Sequence, residues 1–390
     1  MVGSSAGRAA GFRSPEPHWN VDSFGTFILR MIGIIDMIQP RPWVRYHAGP
    51  CPLAWFRLVR RSFIMLPKQP PRDGQPGFLY LPPNRIHGIS VAGEQTTITI
   101  PEFDLTFDMG QCTRASLATP LIALSHAHMD HVGGLPYWFS QRHFQKLEGG
   151  RVVCHPDIVE PLRRMLSSWV DVERQKTPHT IDPIAPDEDL PIRQGVVLRA
   201  IETHHTCPSL GFAVVENRRK LRDQYRDLPQ SELRRLRNEG EDLTFDTEIP
   251  LIAYTGDTDR GDFLERDEFR KAKIVIAECT FLDPDHRGRA RIGRHLHLDD
   301  IAELLEIWEA EHVVLVHLSR RTLVSEARSR IETLGGNGDR IHLLMDHRSN
   351  RKRYEAQQDA VATPVKTVVN EEDAPSDPDS QSSSSSDGTG

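Results

Sequence analysis

Residues 121–131 read Leu-Ile-Ala-Leu-Ser-His-Ala-His-Met-Asp-His, so a short apolar run leads directly into four metal-binding side chains. Side chains alternate in direction along extended backbone, which lets His126 and His128 face one ion. Asp130 and His131 follow where a helix is predicted to begin, and they suit a second ion. This set of imidazoles with a carboxylate indicates a hydrolytic two-metal site. The alternative is a histidine-rich surface loop whose polar side chains cap helices.

Three further metal-binding side chains, His205, Asp257 and His317, each follow an apolar, β-branched run. In layered α/β folds, the loop beyond a buried strand is where sites are built. We therefore expect these loops to converge on the first cluster. His204 is the alternative to His205, because adjacent side chains on extended backbone point opposite ways and only one can reach the metals.

By number and charge, these side chains divide into two four-coordinate sites that share one carboxylate. The sites take His126, His128, His205 and Asp257, and Asp130, His131, His317 and the same Asp257. A bridging carboxylate places two ions roughly 3.5–4 Å apart, the spacing of hydrolytic two-metal sites. Imidazole-rich ligation predicts two Zn²⁺ ions, with Mn²⁺ or Fe as alternatives for the same ligands.

These motifs, in this order, resemble those of the metallo-β-lactamase superfamily and, within it, the ribonuclease Z family, most of all its short plant form. The resemblance covers about residues 85–354 and rests on the stretches at 107–110, 125–136, 203–212, 254–258 and 317–321. It implies an α/β fold, the metallo-β-lactamase αββα four-layer sandwich with two mixed β-sheets. It also implies a zinc-dependent hydrolase, an endonuclease that removes the 3′ trailer from precursor tRNA.

Two later stretches, 277–281 and 294–298, carry the resemblance to ribonuclease Z rather than to the superfamily at large. In the family, such stretches supply a Glu–His pair beside the metals, and the pair matches Glu278 and His295. The resemblance implies that His295 protonates the leaving ribose oxygen, while Glu278 raises the pKa of that imidazole and orients it. The alternative is that His295 and His297 only cap the following helix.

Three more residues are expected to act in the site. Asp130 is expected to bind metal and also to hold the proton of the attacking hydroxide. Ser319 and Arg321 match a family segment beside the last metal ligand and are expected to contact phosphate.

One feature of the family is missing. Many bacterial and long forms insert a Gly-Pro-bearing flexible arm that grips tRNA, whereas only a short segment lies between Trp138 and Val152. The alternative function is therefore a metallo-β-lactamase-fold hydrolase of a small phosphodiester, such as a cyclic nucleotide, or of another ester. A third interpretation, a non-catalytic RNA-binding relative, conflicts with the complete set of ligands.

Composition divides the 390 residues into three zones. Residues 1–76 form a basic N-terminal extension of uncertain order, which the resemblance does not cover. Residues 77–354 form the catalytic domain, within the ~250-residue range that a single sandwich reaches. Residues 355–390 are acidic and serine-rich, and they are predicted to be a disordered tail.

Within the middle zone, helices are predicted over 158–170, 216–238, 299–310 and 324–333. An edge hairpin is predicted over 96–108, turning at Pro101. The segment 216–242 is rich in both arginine and acidic residues. It is either an exposed, salt-bridged helical hairpin or a contact with an RNA backbone.

Five cysteines without a Cys-x-x-Cys motif favour a reducing compartment over a disulfide-bonded one. No apolar stretch reaches the ~20 residues that span a bilayer. The sequence therefore predicts a cytoplasmic enzyme without membrane contact, whose partner is precursor tRNA or another phosphodiester. Whether it forms a homodimer is left open.

Overall fold

The computed structural model describes residues 76–362, except residue 148. The predicted N-terminal extension up to residue 75, and residues 363–390 of the predicted tail, lie outside the described residues. Within the described part, the chain forms two mixed β-sheets with helices packed on their outer faces.

The first sheet has eight strands in the described part of the chain, in the order β1-β2-β3-β4-β5-β6-β7, with β14 beside β2. Strands β1 to β4 are antiparallel, and β4 to β7 are parallel. The strands are β1 (Gly77–Leu81), β2 (Asn84–Ala92), β3 (Gln95–Ile100), β4 (Leu105–Phe107), β5 (Leu121–Ala123), β6 (Arg151–Cys154), β7 (Thr180–Pro183) and β14 (Leu318–Ser319).

The second sheet has seven strands there, in the order β15-β13-β12-β11-β10-β9-β8. Strands β8 to β11 are antiparallel, and β11, β12, β13 and β15 are parallel. The strands are β8 (Asp189–Arg193), β9 (Val196–Thr203), β10 (Ser209–Leu221), β11 (Thr244–Tyr254), β12 (Ile274–Glu278), β13 (His312–Val316) and β15 (Ile341–Leu343).

Helices cover both outer faces. They are α1 (Arg114–Ala118), α2 (Met129–Val132), α3 (Leu135–Phe144), α4 (Pro156–Glu173), α5 (Gln230–Asn238), α6 (Asp267–Arg270), α7 (Arg287–Gly293), α8 (Leu298–Ile307), α9 (Val324–Glu332) and α10 (His347–Ala362). Trp138 and Leu162, from α3 and α4, pack with Val152 of the first sheet. Leu304, from α8, packs with Val275 of the second sheet.

Strand β10 shows how the sequence builds these layers, because its side chains alternate between two cores. Phe212 and Val214 lie between the sheets, where Phe212 stacks with Phe107 of the first sheet. Ala213 and Val215 face the opposite way, toward the outer helices. Helices, two mixed sheets and helices therefore make four layers, and the predicted αββα sandwich is confirmed.

Several predicted elements are found near their expected limits: α4, α8 and α9 match three of the four predicted helices. The hairpin over 96–108 exists as β3 and β4, but both strands lie inside the first sheet and not at its edge. Helix α10 runs beyond residue 354 to Ala362, and the Gln357 side chain donates a hydrogen bond to the Tyr80 carbonyl. The start of the predicted tail is thus helical and packs on β1.

The predicted helix over 216–238 is wrong in its first half. Residues 216–221 continue β10 and pair with Thr244–Ile249 of β11, and only Gln230–Asn238 is helical. We call residues 216–249 the hairpin arm. Most of its arginines pair with its own acids, as Arg222 does with Asp242 and Arg235 with Glu232 and Glu239. Among the described residues, no helix combines the length and apolar character needed to cross a bilayer.

Candidate metal centre and active site

The predicted ligands follow the carboxyl ends of four strands, on loops except for Asp130 and His131, which lie in the short helix α2. The cluster at 126–131 follows β5, His205 follows β9, Asp257 follows β11 and His317 follows β13. His317 lies where the chain passes from the second sheet to the first, because β14 begins at the next residue and pairs with β2. Its left-handed backbone, with φ 57°, makes this sharp passage.

One group of ligand atoms gathers around His128. The His128 Nδ1 lies 3.1 Å from His126 Nε2 and 3.2 Å from His205 Nε2. The Asp257 Oδ2 lies 3.8 Å from His126 Nε2. These four side chains are the ones that the sequence assigned to the first ion.

A second group gathers around the same Asp257 oxygen. Asp257 Oδ2 lies 3.3 Å from His131 Nε2 and 3.2 Å from His317 Nε2. The Asp130 Oδ2 is 3.4 Å from His317 Nε2 and 3.7 Å from His131 Nε2. Asp257 therefore stands between both groups, as a bridging carboxylate must.

The spacing of these atoms fits metal ligation. Ligand nitrogens 2.0–2.1 Å from a tetrahedral Zn²⁺ lie about 3.3 Å from one another, close to the distances found here. The Asp257 Oδ1 is buried and has no hydrogen-bond partner in the described part of the chain. Because a buried carboxylate oxygen without a partner is costly, this atom is suited to a cation as its partner. The site therefore fits metal ions.

The electrostatics agree with this interpretation. Burial, with the nearby His131, holds the pKa of His126 well below its ordinary value, so His126 is a neutral ligand. Burial opposes ionisation of Asp257, but His317 and His131 outweigh it and hold the pKa of that carboxyl well below its usual range. His126 is thus neutral and Asp257 ionised, the forms in which these groups bind metal. Burial lowers the pKa of His131, but the nearby Asp257 and Asp108 outweigh it and raise that pKa well above its ordinary value.

Asp108 supports the centre from behind, a role that the sequence did not reveal. Its carboxylate lies 2.8 Å from His131 Nδ1 and accepts hydrogen bonds from the Ser125 backbone (2.7 Å), the Ser125 hydroxyl (2.8 Å) and the Tyr254 hydroxyl (2.6 Å). Asp108 is fully buried and has a left-handed backbone, with φ 56°. A carboxylate in this position fixes the orientation of a metal-binding imidazole.

Other ligands are held in the same way. The His205 Nδ1 lies 3.0 Å from the Arg294 carbonyl, and the His317 Nδ1 lies 2.9 Å from the Thr280 hydroxyl. The Gly93 backbone N–H donates to Asp130 Oδ2 at 2.8 Å. The two imidazole contacts leave the Nε2 of each ring free for a metal, and the Gly93 contact holds the Asp130 carboxylate in place.

Glu278 and His295 form the predicted pair beside this centre. The His295 Nδ1 lies 2.9 Å from Glu278 Oε1, and the Thr280 hydroxyl donates to Glu278 Oε2 at 2.7 Å. Burial lowers the pKa of His295, but the charge of Glu278 and its hydrogen bond raise the pKa to about 9. The imidazole is therefore protonated at neutral pH, and its Nε2 is the nitrogen available to a substrate.

Two neighbouring histidines have other surroundings. The His204 side chain is 57% exposed and lies near Asp259 and Phe263, away from the ligand groups. His297 is buried, and its Nδ1 accepts a hydrogen bond from the Asp299 backbone N–H at the start of α8. His297 thus caps that helix, whereas His295 does not.

The predicted phosphate contacts lie just beyond His317. Ser319 is half-buried and Arg321 is exposed. The Arg321 backbone N–H donates to the Ser319 hydroxyl at 3.4 Å. The Arg321 guanidinium forms no hydrogen bond or ion pair with the described residues.

No family model matches the chain. The chain is 31% identical over 249 residues to a chloroplastic tRNase Z from Arabidopsis thaliana. The aligned residues make up 63% of this chain and 70% of that relative. A second tRNase Z from the same plant is 29% identical over 253 residues. This alignment covers 64% of this chain and 90% of that relative. The structure of the short form of human tRNase Z aligns with a TM-score of 0.43 at 16% identity, over 69% of this chain and 94% of that one.

Proposed function

Because the chain belongs to the ribonuclease Z family, we propose that it is a metal-dependent endonuclease that removes the 3′ trailer from precursor tRNA. The observation that carries this proposal is the Glu278–His295 pair beside two groups of metal ligands. A phosphodiester with an unactivated ribose leaving group needs a proton donor as well as an activated water.

We assign two Zn²⁺ ions, with Mn²⁺ or Fe as alternatives. One would be held by His126, His128 and His205, the other by Asp130, His131 and His317, and Asp257 would be shared by both. When bound, such ions supply an activated water and neutralise charge on the phosphate oxygens. The protein holds these ligands rigidly, because Asp108, Thr280 and the Arg294 carbonyl fix the imidazoles from behind.

Asp130 is suited to hold the proton of the attacking water. Burial opposes its ionisation, but the hydrogen bond to His317 and the charge of His131 keep its pKa well below the usual range. Its side chain is partly open to solvent, with 14% exposed, so a water can reach it. The Gly93 N–H fixes the carboxylate in place.

His295 donates a proton to the leaving 3′-oxygen. Its Nδ1–H faces Glu278, which fixes the ring so that the protonated Nε2 is the donor. Glu278 is fully buried and also accepts a hydrogen bond from the Thr258 backbone N–H at 2.9 Å. The carboxylate therefore cannot turn toward the substrate, and its role is to charge and orient His295. Ser319 and Arg321 contact a non-bridging phosphate oxygen.

The alternative substrate is a small phosphodiester. It is favoured by the hairpin arm, in which most arginines are already paired with acids of the same arm. Both substrates use the same Glu–His pair, so they differ only in what binds outside the site.

The two proposed substrate classes are distinguished by incubating the purified protein with a precursor tRNA and, separately, with bis(p-nitrophenyl) phosphate. We expect cleavage of the precursor to leave a 3′-hydroxyl on the tRNA and a 5′-phosphate on the trailer. The matched control is mature tRNA, which has no trailer and should stay intact. Hydrolysis of the small ester without cleavage of the precursor would contradict the tRNA assignment and favour the alternative.

A cytoplasmic location stays a prediction, and whether the protein forms a homodimer stays open. The described cysteines Cys112, Cys154, Cys207 and Cys279 are free thiols, which suits a reducing compartment. Cell fractionation tests the location, and light scattering of the purified protein tests the dimer.

A further inference from the structure

Helix α7 carries three arginines, Arg287, Arg289 and Arg291, and Arg294 follows directly before His295. Arg294 has a left-handed backbone, with φ 53°, that ends the helix. The chain then folds back, so the His295 backbone N–H donates to the Ala290 carbonyl at 2.9 Å. The arginines and the proposed proton donor therefore belong to one locally hydrogen-bonded unit.

Two of these arginines already have structural contacts. Arg287 lies 3.1 Å from Asp299 and also reaches Glu303, both on α8. The Arg294 guanidinium donates to the His205 carbonyl at 2.8 Å. Arg289 and Arg291 are exposed and form no hydrogen bond or ion pair with the described residues. Their charges are free to bind a ligand.

Arg291 and His295 line the same cavity of about 370 Å³, within the range of ligand pockets. The cavity wall also carries carboxylates. Asp300 and Glu303 face Arg287, and Asp259 lies 3.7 Å from His204. Arg260, on the same wall, donates to Glu265 and to the Gly261 carbonyl. Among the described lining residues, Arg291 is thus the arginine left for an anion.

We propose that Arg291 binds the RNA phosphate 5′ of the scissile bond, with Arg289 as an outer contact. This inference rests on the proposed function, in which His295 protonates the leaving 3′-oxygen. The nucleotide that carries this oxygen must lie against His295, and its own 5′-phosphate then extends along the cavity toward Arg291. The arginine recognises the strand that leaves with a free 3′-hydroxyl, and the phosphate requires no particular base.

The products of the reaction separate the two sides of the scissile bond. Mature tRNA ends in the leaving 3′-hydroxyl and occupies only the side of Arg291, whereas a trailer oligonucleotide with a 5′-phosphate occupies only the other side. The zinc-loaded Arg291→Glu protein should bind mature tRNA roughly 10- to 100-fold more weakly, the loss expected for a charge-assisted contact. Its binding of the trailer should weaken much less, and Arg291→Lys should restore part of the tRNA binding.

Two more measurements complete the test. In a plot of the logarithm of tRNA affinity against the logarithm of salt concentration, the slope should become shallower by about the amount that one phosphate contact contributes. The KM for precursor tRNA should rise more than kcat falls, and any effect on bis(p-nitrophenyl) phosphate should be at least about tenfold smaller. Arg164→Glu makes the same charge change on an exposed arginine of α4 whose side chain has no ion pair with the described residues, and it should match the wild-type protein in every assay.

Equal weakening of tRNA and trailer binding, or unchanged tRNA binding by Arg291→Glu, would overturn the inference. Assays of the wild-type protein distinguish a failure of the Arg291 inference from a failure of the proposed function. If it cleaves precursor tRNA while Arg291→Glu binds mature tRNA normally, only the role of Arg291 is wrong. If the wild-type protein binds no tRNA at all, both proposals are wrong.

Discussion

Strands β10 and β11 pass through two very different environments. At one end, Phe212 pairs with Tyr254 in the buried core, and the chain continues into Asp257 of the candidate metal centre. At the other end the same strands form the hairpin arm, where Arg219 and Asp246 are exposed. The buried end surrounds the Asp257 carboxylate with imidazoles that water does not reach. The exposed end joins charges in pairs that water can replace.

The difference shows how burial turns similar side chains to different uses. Asp257 and Asp246 lie eleven residues apart on or just after one strand. Asp257 is 2% exposed and lies beside three imidazoles, whereas the Asp246 side chain is 86% exposed and lies 3.5 Å from Arg219. Only the buried carboxylate is held rigidly enough to position ions.

The largest expected effect comes from Asp257→Ala. Because both groups of ligands share this carboxylate, the variant should lose hydrolysis down to background together with most of its bound metal. Elemental analysis and bis(p-nitrophenyl) phosphate turnover measure the two losses. Asp246→Ala, the matched change at the exposed end of β11, should retain both. Two full equivalents of zinc in an active Asp257→Ala protein would contradict the ligand assignment.

Asp108→Asn should weaken metal binding by about 10- to 100-fold, the usual effect of removing the partner of a metal-binding imidazole. The amide keeps the size of the side chain but can no longer accept every hydrogen bond from Ser125, Tyr254 and His131. Competition with a zinc chelator measures the affinity. An unchanged affinity would show that Asp108 only stabilises the fold.

Glu278→Gln separates charge from orientation at His295. The amide oxygen can still accept from the ring, but without the negative charge the pKa of His295 should fall from about 9 toward its ordinary value near 6.5. The protonated imidazole is the active form, so activity is lost as pH rises through this pKa. The alkaline limb of kcat/KM for precursor tRNA should therefore move to lower pH. A limb that stays in place would exclude His295 as the group observed.

The smallest effect is expected from shortening the hairpin arm. The Arg222 backbone N–H already donates to the Leu243 carbonyl, so an Asn-Gly turn can replace residues 223–242. Metal content and hydrolysis of bis(p-nitrophenyl) phosphate should not change, because the removed residues are remote in sequence from every proposed ligand and make their ion pairs within the arm. A loss confined to precursor tRNA would assign RNA contact to the arm, whereas loss of metal would show that the arm supports the fold.

The contrast between the buried site and the exposed arm also explains which features could be predicted from the sequence. The cluster at 126–131 follows a short apolar strand, so local order along the chain was enough to propose its ligands. The alternation of side chains along extended backbone predicted that only one of His204 and His205 reaches the metals, but not which one. The structure places His205 with the other ligands. Asp108 was missed because its importance depends on Tyr254 and His131, which only the folded sheets bring to it.

The helix predicted over 216–238 was wrong in its first half because its local charge pattern was misleading. Its spaced arginines and acids resemble the pattern of a charged helix, and α5 does form over the second half of the predicted helix. The first half pairs with Thr244–Ile249, which lies far along the chain. Such non-local pairing overrides local propensity and cannot be read from a charge pattern.

The account depends most on His295 as a proton donor distinct from the metal ligands, and His295→Ala tests this directly. The variant should keep the wild-type zinc content and cleave precursor tRNA about 10²–10⁴-fold more slowly, the usual contribution of general acid catalysis. On bis(p-nitrophenyl) phosphate, whose leaving group needs no proton, the loss should be far smaller. Equal losses on both substrates, or loss of zinc, would contradict the account.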